Sequence, residues 1–177
     1  MIYQWKYKTP PQFTDMLMSS DGKYLTGLWF IGSKDESKHT VTYEEKNLPI
    51  FVTTNRWLDI YFKGENPDFT PDYKIENLTP FREKVISIMN SIPYGKTITY
   101  NDISKIIAKE RNMTRMSSQA VGGAVGWNPI CIIIPCHRVV GSDGNLTGYG
   151  GGIENKMELL KLENNDMSKF FVKKKIK

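Results

Sequence analysis

The sequence predicts an α/β protein of the α+β kind, with a small mixed N-terminal unit followed by a helical C-terminal unit. Three observations support this prediction. The first half contains short apolar segments separated by turn residues, and the second half contains apolar residues at helical spacing. The stretch between them, 65–78, is rich in Pro, Asp and Asn and lacks a clear period. We therefore expect a domain with its linker at 1–78, a second domain at 79–166 and a basic tail at 167–177.

Composition narrows the class of protein. The 177 residues are 40% hydrophobic and 24% charged, which is typical of a globular protein and excludes a disordered chain or a collagen-like fibre. No run of eighteen apolar residues occurs, so we expect neither a membrane anchor nor a secretory signal. Two cysteines are too few for a disulfide scaffold, which favours a cytoplasmic protein with reduced thiols.

The sequence also bears on cofactors. The two cysteines and two histidines, at 131, 136, 39 and 137, do not form a metal-ligand cluster in the sequence, so a structural zinc site is not expected. No phosphate-binding loop and no dinucleotide fingerprint occurs. We therefore expect no metal and no organic cofactor.

Charge is distributed unevenly along the chain. Residues 1–79 carry nine Lys and Arg against eleven Asp and Glu, whereas 80–177 carry fifteen against eight. The basic second half is the candidate to bind a polyanion such as nucleic acid. Five of its lysines lie in 169–177, however, and 80–168 retain only ten basic against eight acidic residues. Charge alone leaves open a nucleic-acid surface or a solvated basic tail.

The N-terminal unit is expected to contain strands and one helix. Extended segments are predicted at Phe13–Met18 and Tyr24–Phe30, joined by a hairpin turn at Ser19–Gly22 because Asp-Gly tolerates positive φ. A further extended stretch is predicted at His39–Tyr43. Aromatic and aliphatic residues at near-helical spacing then predict a helix through Asn55–Phe62, after which a glycine ends it. Nothing in this unit indicates its own chemistry.

The C-terminal unit begins with a clear helix signal. Thr79 is suited to cap the helix and Pro80 to occupy its first position. Apolar residues then fall on one face: Phe81, Val85, Ile88, Met89 and Ile92. The turn at Pro93–Gly95 is expected to end this helix.

Two short helices follow. Thr99 and Asp102 have the spacing of a capping box, and Ile103, Ile106 and Ile107 predict an amphipathic helix after it. A third helix is predicted over Gln119–Val125, starting at Ser117 or Ser118 and stopped by Gly126 and Pro129. Two short helices joined by a turn are a candidate helix-turn-helix.

The third helix contains Gly122 and Gly123 in its interior, and each costs about 1 kcal/mol relative to alanine. Such a cost usually reflects the close approach of another backbone. Two explanations remain open at this point. The helix packs tightly on a neighbouring helix, or it enters a nucleic-acid groove that bulky side chains would block.

The candidate chemistry lies after a buried, strand-like run at Ile130–Ile134. Cys136 and His137 stand where this run meets a loop. A cysteine reacts as the thiolate, and a neutral imidazole has the right pKa to accept its proton. Free cysteines are also among the most buried residues in proteins, as we expect for Cys131, so the dipeptide alone does not decide between a nucleophile and a core residue.

Several short motifs occur together across the second unit. Pro135–Val140 is preceded by Ala120–Ala124 and Asn128-Pro129 and is followed by Gly148–Gly152. Together with Thr79-Pro80-Phe81, Ile92–Gly95 and Thr99-Tyr100, these motifs closely resemble the O6-alkylguanine-DNA alkyltransferase family, also called methylated-DNA-protein-cysteine methyltransferases. The resemblance covers about 79–163. The first unit is similar, more loosely, to the family's small α/β domain, especially at Leu58–Gly64.

The resemblance implies a fold, a reaction and residue roles. The fold is a ribonuclease-H-like N-terminal domain followed by a winged-helix-like domain. The reaction is DNA repair by a single, irreversible transfer of an alkyl group from O6 of guanine, and by extension O4 of thymine, to the protein's own cysteine. Cys136 matches the acceptor, His137 the residue that takes the thiol proton through a water, and Glu163 the acid that orients the imidazole. Tyr100 matches the residue that helps to rotate the nucleotide and donates a hydrogen bond to the base.

Further matches concern the base and the DNA. Tyr149 and the Gly150 N–H resemble the lid over the base, the carbonyls of Cys136 and Val139 would accept from its exocyclic amine, and Asn128 resembles a hinge asparagine. A monomer is implied to bind double-stranded DNA through the minor groove, without sequence preference and with the damaged base flipped out. The residues implied to contact DNA are Gln119, Ala120, Gly122, Gly123 and Tyr100. In the family, an arginine often occupies the position of Gln119; a glutamine lacks its charge and its planar stacking surface.

Two alternatives belong to other classes. One is a lesion-binding protein that recognises alkylated DNA without repairing it; such proteins lack the acceptor cysteine, whereas this chain has Cys136. The other is a thiol hydrolase that uses Cys136 and His137. It predicts many turnovers per chain, whereas an alkyltransferase reacts once and gains mass permanently.

Overall fold

A computed structural model describes residues 1–39, 42–146 and 148–173 of the chain. Its N-terminal part is a four-stranded sheet in the order β3-β2-β1-β4. β1 pairs antiparallel with β2 and parallel with β4, and β2 pairs antiparallel with β3. The helix α1, Pro49–Phe62, follows β4 along the chain. The strands are β1 at Ile2–Tyr7, β2 at Met16–Ser20, β3 at Leu25–Phe30 and β4 at Tyr43–Glu45.

The sequence correctly predicted strands in this part of the chain, but not their number or their bounds. β1 was not predicted, although it is the strand that joins β2 to β4. The residues Ser19 and Ser20 belong to β2, so the turn after β2 starts only at Asp21. Phe13 lies before β2, outside any strand, and its buried side chain stacks on Phe30 in the core. Part of the predicted extended stretch at 39–43, namely 40–41, lies outside the described residues.

The C-terminal part is helical, as predicted. Its elements in chain order are α2 at Pro80–Asn90, β5 at Ile98–Thr99, α3 at Tyr100–Glu110, α4 at Ser118–Trp127, β6 at Val139–Val140 and α5 at Ile153–Leu162. Thr79 caps α2 by accepting a hydrogen bond from the backbone N–H of Arg82 at 3.2 Å. Thr99 and Asp102 form the predicted capping box of α3. These local hydrogen bonds satisfy donors that a helix start leaves free.

The helix α4 is longer than predicted, because it continues through Gly126 to Trp127. Ideal Cβ atoms built on Gly122 and Gly123 meet no atom of the described chain within 4 Å. Tight packing on a neighbouring helix is therefore the wrong explanation for these two glycines. The surface they leave flat faces outward.

The run Ile130–Ile134 is buried but is a turn, not the predicted strand. Ile132 has a φ of 69°, a left-handed conformation that breaks any extended segment. The start of the turn lies against the edge of β3. The Leu28 N–H donates to the Pro129 carbonyl at 3.0 Å, and the Cys131 N–H donates to the Leu28 carbonyl at 3.1 Å. The turn that leads to Cys136 is thus bonded to the N-terminal sheet.

One hydrophobic cluster joins the two parts of the described chain. It contains Phe30 and Tyr61 from the N-terminal part and Val85, Ile103 and Leu159 from the C-terminal part. A second, small cluster of Val140, Leu146 and Leu160 packs against the segment that follows α5. Within the described ranges, no helix is long and apolar enough to cross a membrane.

Candidate active site

A small pocket opens between the two parts of the protein. Cys136 lies at this pocket and is 6% exposed. Tyr100 from the start of α3, the C-terminal end of α4, and the segment Gly148–Gly150 form its walls. Asp35 and Lys38 of the N-terminal part complete the lining. The pocket therefore gathers a thiol, a phenol and backbone groups from distant segments of the chain.

Asn128 fixes the turn that carries the thiol. Its side chain is 2% exposed and donates from Nδ2 to the Ile134 carbonyl at 2.9 Å. Its Oδ1 accepts from the Ile130 N–H at 3.0 Å. One amide thus satisfies both ends of the irregular segment that precedes Cys136, which ordinary secondary structure leaves unpaired.

Cys136 and His137 begin a short 3₁₀ helix, Cys136–Arg138. The His137 ring is completely buried, and its Nε2 lies 2.6 Å from Glu163 Oε2. His137 Nδ1 is buried and has no hydrogen-bond partner among the residues that the structure describes. A neutral imidazole that donates a hydrogen bond from Nε2–H to the carboxylate presents Nδ1 as a proton acceptor.

Glu163 follows α5 and collects hydrogen bonds from four residues. Besides His137, the Tyr61 hydroxyl donates to Oε2 at 2.6 Å and the Gly95 N–H donates to Oε1 at 2.9 Å. Arg138 donates to Oε1 from Nε at 2.8 Å and to Oε2 from Nη2 at 3.2 Å. Burial alone would raise the pKa of Glu163, but the hydrogen bonds from His137 and Arg138 and the charge of Arg138 outweigh it and hold that pKa well below its ordinary value. Glu163 is therefore ionised.

Two other pKa values describe the resting state. Burial raises the pKa of the Cys136 thiol, against the opposing effects of Asn128 and Lys156. Burial lowers the pKa of His137, against the opposing effect of Glu163. Both groups are thus neutral at rest, and the thiol needs a proton acceptor to become a nucleophile.

A buried lysine lies behind the pocket. Lys156 on α5 has no exposed surface and donates from Nζ to the Val139 carbonyl at 2.7 Å. Burial lowers its pKa to about 8, and the nearby Cys136 partly counteracts this. An ammonium at this place favours the thiolate over the thiol.

The structure brings most of the sequence-predicted site residues together. Cys136, Tyr100, Tyr149, Gly150 and Asn128 all line the pocket. The tyrosine of the predicted lid, Tyr149, is 9% exposed, and its hydroxyl has no hydrogen-bond partner within the described chain. His137 and Glu163 lie outside that lining and bond to each other.

Val139 and the predicted DNA-contacting residues of α4 lie apart from the pocket, whereas Tyr100 lines it. The Val139 carbonyl already accepts the Lys156 hydrogen bond, and Val139 is not part of the pocket wall. On α4, Gln119, Ala120 and Gly123 are exposed and Gly122 is half-buried.

Sequence reasoning missed Tyr61, Lys156 and the pair Asp35–Lys38. The sequence pattern indicates Tyr61 only as a buried aromatic residue of a helix, because its hydrogen-bond partner Glu163 is 102 positions away. For Lys156 a signal existed, because a lysine stands three residues before the buried Leu159 on the same face of α5. Within the described chain, no group of three His, Cys, Asp or Glu side chains is arranged to hold a metal ion.

A buried cysteine at a pocket, followed in the chain by a histidine that is paired with a buried glutamate, is a candidate reactive thiol. The short helix with a flat outer face is a candidate DNA-binding helix. Comparison with known proteins gives the family of this chain. The family model described as 6-O-methylguanine DNA methyltransferase, DNA binding domain, matches residues 80–165.

Relatives match over nearly the whole chain. A methylated-DNA–protein-cysteine methyltransferase of Methanosarcina barkeri is 40% identical over 152 residues, which cover 86% of this chain and 92% of the relative. The enzyme of that name from Haemophilus influenzae is 36% identical and covers 92% of this chain and 86% of its own length. The structure of Mycobacterium tuberculosis OGT in complex with DNA has a TM-score of 0.74 at 31% identity, covering 96% of this chain and 94% of that one. The chain therefore belongs to the methylated-DNA–protein-cysteine methyltransferase family, which confirms the resemblance and the fold class inferred from the sequence.

Proposed function

We propose that this protein repairs DNA by transferring the alkyl group of O6-alkylguanine to Cys136, once per chain and irreversibly. The observation that carries the proposal is a buried thiol at a pocket, followed directly in the chain by a buried histidine that is paired with Glu163. The relatives that match this chain are methyltransferases whose acceptor is a protein cysteine, as their names state. O4-alkylthymine is a second substrate of the same chemistry.

The transfer step follows from the two neutral groups of the resting site. The thiol proton passes to Nδ1 of His137 through a bridging water, and Glu163 stabilises the imidazolium that forms. The sulfur attacks the alkyl carbon, an S–C bond forms, the C–O6 bond breaks, and its electron pair remains on the guanine. Tyr100 donates a hydrogen bond to the departing base. Burial raises the pKa of Tyr100 to about 12, so its phenol keeps the proton it must donate.

The pocket requires the damaged base to leave the duplex. Cys136 is only 6% exposed, so O6 of a stacked guanine could not reach it. We assign DNA binding to α4, whose glycines face outward without internal neighbours. A flat helix of this kind fits the minor groove, where binding depends on the backbone and not on base sequence. Gln119 at its start would fill the space that the flipped base vacates.

The free cysteines bear on the compartment in which the protein works. Both Cys131 and Cys136 are free, and an acceptor thiol stays active only in a reducing compartment. We therefore place the protein in the cytoplasm. Each group of the proposed site belongs to one chain, so a monomer suffices.

Mass spectrometry of the intact protein and of its peptides tests the proposal. After incubation with a short duplex that contains one O6-methylguanine, we expect a gain of about 14 Da, located on Cys136 and saturating at one per chain. Cys136→Ala should show no gain while it still binds the duplex. The matched control is Cys131→Ala, which removes the other buried thiol and should still be methylated on Cys136.

The alternatives give different results in the same experiment. A lesion-binding protein would bind the duplex without any change in mass. A thiol hydrolase would release product repeatedly and return to its original mass. Methylation of the Cys136→Ala variant would refute the assignment of the acceptor.

A further inference from the structure

The 3₁₀ helix Lys34–His39 brings two charged side chains of the N-terminal part to the pocket, and the transfer chemistry uses neither. Asp35 is 6% exposed, and its Oδ1 lies 2.7 Å from Lys38 Nζ. Lys38 keeps 26% of its side chain exposed, so the buried member of the pair is Asp35, and a buried carboxylate is costly unless an opposite charge or hydrogen bonds satisfy it. The hydrogen-bond partners of these two residues therefore indicate which segments the pair connects.

Lys38 holds the end of α4. Its ammonium donates to the Gly126 carbonyl and, at 3.1 Å, to the Asn128 carbonyl. Carbonyls at the C-terminal end of a helix lack partners within the helix and carry partial negative charge, so a cation there is favourable. Gly126 and Asn128 both line the pocket.

Asp35 holds the opposite wall. Its backbone N–H donates to the Gly150 carbonyl at 3.2 Å. Its carboxylate lies so close to Gly150 that a Cβ built on that residue would overlap Asp35 Oδ1. The segment that contains Tyr149 and Gly150 is thus seated directly on Asp35.

We propose, on the basis of the function proposed above, that the Asp35–Lys38 pair determines which alkyl groups the protein accepts. The pair links the end of α4 to the Gly150 segment across the pocket and fixes the distance between these two walls. The space beside Cys136 then suits a small alkyl group. A bulky group such as benzyl requires the walls to separate, and the ion pair opposes that movement.

The charges of the pair have opposite effects on the thiol. Asp35 raises the pKa of Cys136 and Lys38 lowers it, both by less than burial does. Removing one charge would therefore change the reactivity of the thiol as well as the position of the walls. A comparison of two substrates on the same variant separates these effects, because a change in the thiol alters both rates alike.

The experiment measures single-turnover transfer from two duplexes that differ only in carrying O6-methylguanine or O6-benzylguanine. For Lys38→Met and for the double variant Asp35→Asn/Lys38→Met, we expect the benzyl-to-methyl rate ratio to rise by about fivefold or more over the unaltered protein. Lys38→Arg keeps the positive charge and hydrogen-bond donors, so its benzyl-to-methyl rate ratio should equal that of the unaltered protein. Lys34→Met, an exposed lysine of the same 3₁₀ helix, is the matched control and should not change it.

The ratio decides the outcome. An unchanged ratio in both variants overturns the proposal, even where both rates fall together, because the pair would then have only a structural role. Should Lys38→Met fail to fold, Asp35→Asn, which preserves shape and backbone contacts, gives the deciding ratio. If the unaltered protein transferred an alkyl group from neither duplex, the proposed function itself would be rejected.

Discussion

Tyr61 is the residue through which the N-terminal part reaches the proposed proton relay. It lies in α1, is fully buried, and donates to the same Glu163 oxygen that His137 contacts. Burial and the Glu163 charge raise the pKa of Tyr61 well above its ordinary value, so its hydroxyl stays protonated and remains a donor. Tyr61 is therefore a positioning residue, because it fixes the carboxylate that orients the imidazole.

Removal of this hydroxyl should affect both stability and rate. For Tyr61→Phe, we expect the free energy of unfolding in urea to fall by about 1.5–3 kcal/mol, the usual contribution of a hydrogen bond to a charged group. We also expect slower methyl transfer and an altered pH–rate profile. The matched control is Tyr94→Phe, because the Tyr94 hydroxyl makes only a 3.5 Å contact with the Leu162 carbonyl. Equal values for the two variants would contradict this role.

Acid should destabilise the protein through His137, His39 and Glu163. The pKa values of His137 and His39 lie below the ordinary 6.5, chiefly because loss of solvent disfavours each imidazolium, and that of the half-buried His39 falls to about 4. The native state thus binds fewer protons than the unfolded state, so stability rises with pH and is lost as pH falls below 6.5. Glu163, whose pKa also lies below its ordinary value of 4.5, adds a further loss at lower pH.

Urea unfolding from pH 7.5 to pH 5 measures this effect. We expect a slope of at most about 1.4 kcal/mol per pH unit for each proton taken up. His137→Gln should reduce the slope, and His39→Gln should reduce it independently. A slope that is flat in the unaltered protein would show that neither histidine is held neutral by the fold.

At the scale of elements, the glycines of α4 lower the stability of the helix but suit its proposed role in DNA binding. Its interior glycines weaken the helix, and nothing in the described chain packs against them. Gly123→Leu should therefore raise the free energy of unfolding by about 1 kcal/mol, since leucine is a better helix former. The same side chain should block entry into a DNA groove and slow transfer from a duplex by about tenfold or more, without slowing transfer from free O6-benzylguanine.

The control for this helix is Ser87→Leu, an exposed position on α2. It should leave both transfer rates unchanged. Rapid transfer from duplex DNA by Gly123→Leu would refute the assignment of α4 to the groove.

The sequence predicted elements well where local chemistry determines them. Thr79, Thr99 and Asp102 cap their helices as expected, because capping depends on residues within one turn. The turn at Ile130–Ile134 could not be predicted in this way. Its apolar residues resemble a strand, and the left-handed φ of Ile132 is maintained by Asn128 and the edge of β3, which are tertiary contacts.

The same distinction applies to the candidate site. Cys136 and His137 are adjacent in sequence and form a readable motif. Glu163 was reached only through the family resemblance, and Tyr61, from a segment more than a hundred positions earlier, was not reached at all. No local pattern encodes a hydrogen bond between α1 and the end of α5.

At the scale of the whole molecule, the two parts share one hydrophobic cluster and are also joined by polar contacts. Tyr61 meets Glu163, Lys38 meets Gly126, and the backbone of Leu28 pairs with that of Pro129 and Cys131. Among its described residues, the N-terminal part supplies no reactive group to the proposed transfer chemistry. Its contribution is to hold the walls and the relay in place.

The pairing of β3 with the turn before Cys136 has a consequence for the reacted protein. An alkyl group added to a thiol that is 6% exposed presses on the turn that carries it, slightly for a methyl group and more strongly for a bulky group. We expect the Leu28 and Cys131 amides, which join turn to strand, to exchange hydrogen faster after methylation, and faster still after benzylation. Equal protection before and after reaction would contradict this. An unpaired strand edge invites other chains, so the spent repair protein would be distinguishable from a fresh one by its tendency to aggregate or to be degraded.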